Sequence, residues 1–157
     1  MLELRRKLLK GGVSASMLAP WLGLGLLQPT QLLAAEWQRN QFTARNIADA
    51  LKASGAANAT ESRELTINAP EIAENGAKVE VDIASNLANT RSLALFADKN
   101  PMPLCATFEF LPPSLPAARV PLKLAESTRL RLVAKTSDGK THVAFRDVKV
   151  TLGGCGG

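Results

Sequence analysis

Apolar and polar residues alternate with a period of two along most of the chain from residue 64 to residue 152. This alternation is typical of strands that bury one face and expose the other. The apolar positions are Leu65 and Ile67; Val79, Val81 and Ile83; Leu93 and Leu95; Leu104, Ala106, Phe108 and Phe110; Val120, Leu122 and Leu124; Leu130, Leu132 and Ala134; Val143 and Phe145; and Val148, Val150 and Leu152. The parity of this series changes between Phe145 and Val148, which predicts a bulge or a break into two strands there.

Turn-forming residues separate these runs. They are Ala69-Pro70, Asn75-Gly76, Ser85-Asn86, Asn100-Pro101-Met102-Pro103, Leu111-Pro112-Pro113 and Ser137-Asp138-Gly139-Lys140. Six or seven short strands joined in this way predict an all-β, antiparallel β-sandwich. Three apolar residues fall off the main core alternation and are therefore candidates for a partner-facing surface, namely Phe96, Leu111 and Val133.

A helical pattern occurs only near the start of this region. Ile47, Ala48 and Leu51 share one face of a helix, Thr43 can cap its start, and Ser54-Gly55 can end it. The sequence therefore predicts one short amphipathic helix of two to three turns that packs on the sandwich.

Residues 1–35 have the features of an export signal. A basic head, Arg5 to Lys10, precedes an apolar run over residues 13–27, and Leu33-Ala34-Ala35 offers small residues for cleavage before Glu36. The run is shorter than the ~20 apolar residues that span a bilayer, so a signal is favoured over a membrane helix. The basic head resembles a twin-arginine signal, with Leu4 and Leu8 departing from that pattern. We therefore expect a periplasmic protein with no membrane segment after cleavage, whose domain covers residues 36–152.

More than half of the net positive charge of the chain lies in the predicted signal. The chain has 19 Lys and Arg, 14 Asp and Glu, and a net charge of +5. Residues 1–35 contain four of these bases and one of the acids, so the remainder carries only +2. No run of like charge remains and Tyr is absent, so nothing favours binding to nucleic acid.

Cys155 stands at the C-terminus between two glycine pairs, Gly153-Gly154 and Gly156-Gly157. Glycine has no Cβ and restricts the backbone little, so residues 153–157 are predicted to form a flexible arm. The other readings are a disulfide with Cys105, an inert tail, or a lipid site, although prenylation requires three residues after the cysteine. A tail held by a disulfide has no need of four glycines. A thiol that must enter a narrow tunnel in another protein does benefit from them, because glycines have no side chains that would clash with the tunnel walls.

The chain resembles the SoxY family of sulfur carriers in its last ten residues, Val148 to Gly157. Two internal stretches are also similar, Ala73-Glu74-Asn75-Gly76-Ala77 and Lys99-Asn100-Pro101-Met102-Pro103-Leu104. The resemblance implies an immunoglobulin-like sandwich in which Cys155 attaches sulfur covalently. It assigns Gly153, Gly154, Gly156 and Gly157 to a swinging arm.

The same resemblance implies a substrate carrier, not an enzyme, with no cofactor of its own. Its expected partner is SoxZ, in a heterodimer. The c-type cytochrome SoxAX would join Cys155 to the sulfane sulfur of thiosulfate, the dimanganese hydrolase SoxB would release sulfate, and a molybdenum-haem sulfur dehydrogenase, in bacteria that have one, would oxidise the remaining sulfur. The alternative is a secreted binding or structural module whose terminal cysteine forms a disulfide between chains.

The sequence contains few residues that could catalyse a reaction or bind a metal ion. A catalytic cysteine usually has a base or a helix N-terminus beside it, and the single histidine, His142, lies in a predicted surface strand. Two cysteines and one histidine without ligand spacing predict no metal site. Cys105 shares a strand face with Thr107 and Glu109, which is not the predicted core face. A free thiol, a disulfide to a partner and a disulfide to Cys155 all stay open for it.

Overall fold

Strands with one buried face pair into two packed sheets in the computed structural model, which describes residues 39–154. The predicted signal, residues 1–35, and the terminal residues Cys155, Gly156 and Gly157 lie outside the described residues. The strands are β1 (Thr60–Glu61), β2 (Leu65–Asn68), β3 (Ile72–Asn75), β4 (Val79–Ser85), β5 (Thr90–Ala97), β6 (Leu104–Glu109), β7 (Ala117–Leu122), β8 (Thr128–Thr136) and β9 (Thr141–Leu152).

The larger sheet has the order β1-β9-β8-β5-β6, with β3 also paired to β9, and the smaller sheet has the order β2-β4-β7. All pairs are antiparallel except β1 and β3, which run parallel to β9 along its second edge. The β-sandwich is confirmed. Strands β1 and β3 were not predicted, because they are short and only Ala73 among their side chains is buried.

The core between the sheets contains most of the residues that the alternation selected. The prediction is wrong for Leu104 and Val143, which pack in a different cluster, and for Phe145 and Leu152, which are exposed. The fully buried side chains of the core between the sheets include Val81, Ile83, Leu93, Leu95, Leu124, Leu130, Leu132 and Val148. Each such side chain stabilises the fold by about 1.5–3 kcal/mol relative to exposure. No helix within residues 39–154 is long and apolar enough to cross a membrane.

A second apolar cluster lies on the outer face of the larger sheet. Phe96, Val133 and Val143 are buried there under helices α1 (Arg39–Thr43) and α2 (Ile47–Ala53), with Ala50 fully enclosed. The expectation that Phe96 and Val133 are candidates for a partner surface is therefore wrong. Leu111, the third candidate, is 70% exposed.

Strand β9 is continuous, so the predicted bulge or break between Phe145 and Val148 is wrong. Its pairing with β8 keeps one register from Thr141 to Val148. Val143 packs in the outer cluster while Val148 packs in the inner core. The change of parity thus marks a change of buried face along one strand.

The helix prediction needs three corrections. The sequence predicted one helix, whereas residues 39–154 contain two, α1 and α2. Asn46, rather than Thr43, caps α2, because its Oδ1 accepts a hydrogen bond from the Asp49 N–H at 2.9 Å. Ala50 is buried, whereas Ala48 is exposed. The predicted end is confirmed, since Ser54 is the C-cap and Gly55 has φ of 65°, a conformation that favours glycine.

Candidate functional site

The chain leaves β9 at the end of the sandwich where three other segments meet. Strand directions bring the β3–β4 turn at Gly76, the loop of residues 98–103, and the β7–β8 segment of residues 123–127 to this end. Backbone hydrogen bonds and one asparagine side chain connect them. We call Gly76, Asn100, Leu124 and Ala125 the tail seat.

Gly154 is docked on the tail seat. Its N–H donates a hydrogen bond to the Leu124 carbonyl at 2.8 Å, and the Leu124 N–H donates to the Gly76 carbonyl at 2.8 Å. The Gly76 N–H in turn donates to the Leu152 carbonyl at 2.7 Å. The prediction of a flexible arm is therefore wrong for Gly153 and Gly154, which belong to the folded domain. For Gly156 and Gly157 it stays a prediction.

Glycine is required here by close backbone approach. A Cβ on Gly154 would overlap the Gly76 carbonyl, and a Cβ on Gly153 would overlap the Ala125 carbonyl. A Cβ on Gly76 would overlap the Leu124 carbonyl and lie 2.9 Å from the Gly154 nitrogen. None of these glycines has positive φ, so their role is to let backbones touch, which side chains would prevent.

The Asn100 side chain holds the peptide groups on either side of Leu124. Its Nδ2 donates to the Lys123 carbonyl at 2.8 Å, and its Oδ1 accepts from the Ala125 N–H at 3.0 Å. The side chain therefore brackets Leu124, whose carbonyl receives the Gly154 N–H. The sequence predicted Asn100 and Gly76 only as turn residues, and both lie in the two internal stretches that resemble the SoxY family. Neither was predicted to contact the tail.

The loop that carries Asn100 is itself fixed to the larger sheet. Asp98 accepts two hydrogen bonds from Arg131, at 2.6 and 2.7 Å, in an ion pair whose side chains are mostly buried. The Lys99 N–H donates to Thr128 Oγ1 at 2.9 Å. A bidentate, partly desolvated pair of this kind is geometrically specific, so Asn100 extends from a rigid support.

Cys105 lies next to this arrangement as a free, half-buried thiol. Its Sγ donates to the Pro103 carbonyl at 3.4 Å and lies 3.9 Å from Asn100 Nδ2. A register shift between Leu95 and Phe96 turns Leu104 to the outer cluster and Cys105 toward the inner core. The expectation that Cys105 faces away from the core is wrong, because the alternation did not include that bulge.

Burial raises the pKa of Cys105 from 9.0 to about 11, although hydrogen bonds with Ala97 and Asn100 oppose this shift. The folded-state pKa lies above the unfolded one, so the unfolded chain ionises first as the pH rises. Between pH 9 and pH 11 we expect the Cys105 thiol to lower the free energy of unfolding by roughly 2 to 3 kcal/mol, and below pH 9 to have no such effect.

Denaturant unfolding of Cys155→Ser and of Cys105→Ala/Cys155→Ser measures this effect without a second thiol. The difference between the two proteins should change across pH 9–11 and stay constant below it. Parallel profiles across the whole range would contradict a buried, neutral Cys105.

The single histidine lies far from the tail seat. His142 is near the start of β9, twelve residues before Gly154, which corresponds to roughly 40 Å of extended chain. Within residues 39–154 no group of three His, Cys, Asp or Glu side chains could hold a metal ion. A shallow groove of about 540 Å³ crosses the outer face of β2-β4-β7, and its ionisable lining residues are the Asp82–Arg119 ion pair.

Comparison with known proteins gives a consistent result. The family profile described as "Sulfur oxidation protein SoxY" matches residues 50–155, well over half of the chain, and its range reaches Cys155. The structure of the sulfur carrier protein SoxY from Chlorobium limicola f thiosulfatophilum matches with 34% identity and a TM-score of 0.62, covering 73% of this chain and 99% of that one.

A superoxide reductase (neelaredoxin) from Ignicoccus hospitalis matches with 20% identity and a TM-score of 0.50, covering 56% of this chain and 80% of that one. At this identity the likeness concerns the fold alone. No match was found among curated proteins.

Proposed function

The chain belongs to the SoxY family and is a sulfur carrier of sulfur oxidation, and on that premise we propose that Cys155 carries thiosulfate-derived sulfur while partner enzymes act on it. The observation that supports this most is the extent of the family match, which includes Cys155, together with the docking of Gly154. Gly154 lies at the end of the sandwich, and the single histidine, His142, lies near the other end of β9. The chain thus supplies an attachment point and leaves the activation of the thiol to its partners.

Two proposed steps account for the atoms and electrons. In the first, the Cys155 thiol and the sulfane sulfur of thiosulfate form an S–S bond. The thiol proton is released, and two electrons pass to the c-type cytochrome SoxAX. In the second, the hydrolase SoxB uses water to cleave the bond between the sulfane sulfur and the terminal sulfonate. Sulfate leaves, two protons are released, and a persulfide anion stays on Cys155. A sulfur dehydrogenase is the proposed third partner and oxidises that persulfide further.

The proposal extends to export and assembly. A twin-arginine signal over residues 1–35 would bring the folded protein to the periplasm, and SoxZ would be its heterodimer partner. Leu111 and Leu115, 70% and 85% exposed in the β6–β7 loop, support a role for this loop in contacts with SoxZ. They are the most exposed large apolar side chains among the described residues.

Intact mass spectrometry tests the covalent role. The mature protein with SoxZ is incubated with thiosulfate and oxidised SoxAX, and the mass of this chain is measured. We expect one thiosulfate-derived adduct on the wild-type chain and on Cys105→Ser, and none on Cys155→Ser, because only Cys155 is proposed to enter the partner's site. An adduct retained in Cys155→Ser would overturn the proposal. A stable disulfide dimer through Cys155 with no adduct would instead support the structural module.

A further inference from the structure

The tail seat fixes where the carrier cysteine begins. Gly154 is docked by its N–H on the Leu124 carbonyl, and consecutive Cα atoms are about 3.8 Å apart. While Gly154 is docked, the Cα of Cys155 therefore lies within one residue of the seat, whatever conformation the following backbone adopts. A shift of the Leu124 carbonyl would therefore also shift the point from which Cys155 extends.

Asn100 holds both peptide groups that flank the Leu124 Cα. Residues 123–125 belong to no strand, and their neighbours in β7 and β8 end and begin on different sheets. The Leu124 side chain is anchored in the core, and its N–H donates to the Gly76 carbonyl. The peptide group that contains the Leu124 carbonyl is held by the Ala125 N–H, which donates to Asn100 Oδ1 at 3.0 Å, and Asn100 Nδ2 holds the preceding peptide group at 2.8 Å. One amide side chain supplies a donor and an acceptor at once. Aspartate lacks the donor at neutral pH and alanine lacks both.

We propose that Asn100 is a positioning residue for the carrier cysteine: it orients residues 123–125 so that Gly154 docks and Cys155 leaves the domain at one defined point. The inference rests on the proposed function, since it concerns the loading of sulfur on Cys155. When Cys155 always extends from the same point, a partner enzyme can bind the thiol in one orientation. This favours loading, because reactions between bound groups depend steeply on orientation.

The test compares Asn100→Ala with Ser85→Ala. The Ser85 Oγ accepts a hydrogen bond from the Leu87 N–H at 3.2 Å and Ser85 is buried, but it lies at the end of β4 that is far from Gly76 and the tail seat. Amide hydrogen exchange of Gly154 is measured by NMR. The rate at which SoxAX and thiosulfate load Cys155 is measured by mass spectrometry, and the rate of alkylation of Cys155 by iodoacetamide is measured beside it.

We expect Asn100→Ala to lose the protection of the Gly154 amide and to slow partner-dependent loading by roughly tenfold, while alkylation does not slow. Ser85→Ala should keep the wild-type protection and loading even if it lowers stability. Should Asn100→Ala fold poorly, Gly154→Ala removes the docking from the tail side and should give the same split between loading and alkylation.

Two outcomes would overturn the inference. One is a Gly154 amide that stays protected in Asn100→Ala. The other is lost protection with loading at the wild-type rate, which would show that the seat does not position the thiol. Failure of the proposed function is distinct from both, because wild-type protein would then show no adduct at all.

Discussion

Gly76→Ala is expected to lower the free energy of unfolding by about 3 kcal/mol, the size of effect typical of overpacking. The new Cβ would overlap the Leu124 carbonyl and crowd the Gly154 nitrogen and Val150 Cγ1. Gly76 cannot move away easily, because it lies between β3, paired to β9, and β4, paired to both neighbours in its sheet. Urea denaturation of the mature protein measures the loss.

Gly154→Ala and Gly139→Ala are the matched controls for Gly76→Ala. Alanine at Gly154 meets the Gly76 carbonyl just as closely, but the tail can leave its seat, so we expect a loss of only about 1 kcal/mol, the value of the hydrogen bond to Leu124. Gly139 has φ of 82° with no atom near its would-be Cβ, so alanine there costs about 1 kcal/mol through backbone strain alone. Equal losses at all three positions would show that Gly76 is not crowded as described.

Phe96→Ala is expected to lower the free energy of unfolding by about 4 kcal/mol, as for other truncations of buried aromatic residues. Phe96 is 0% exposed and packs in the outer cluster with Leu104, Val133 and Ala50. The variant removes the surface on which α1 and α2 rest. The helical part of the far-UV circular dichroism should therefore melt before the sheets do.

Leu111→Ala is the control for Phe96→Ala. Leu111 was grouped with Phe96 in the sequence because both fall outside the main alternation, yet it is exposed in the β6–β7 loop. Its truncation should change the free energy of unfolding by less than about 0.5 kcal/mol. A small loss in Phe96→Ala, similar to that of Leu111→Ala, would contradict the buried outer cluster.

Local patterns were sufficient for much of the fold. The period-two alternation identified the residues of the inner core because each strand buries one face against the other sheet, and Gly and Pro marked the turns between strands. The terminal Cys155 with its flanking glycines, and the resemblance of the last ten residues, indicated a sulfur carrier. The family comparison shows that class independently.

Which face a residue buries, and where the tail leaves the domain, depended on the tertiary structure. The alternation places Phe96 and Val133 on the face of their strands opposite the main core, but only the packing of α1 and α2 makes that face a second core. The backbone contacts of Gly76 and Gly154 could not be predicted, because contacts between backbones produce no pattern of side chains in the sequence. Asn100 acts on residues 23 and 25 positions away, so its role exists only once the chain has folded and brought those peptide groups to it.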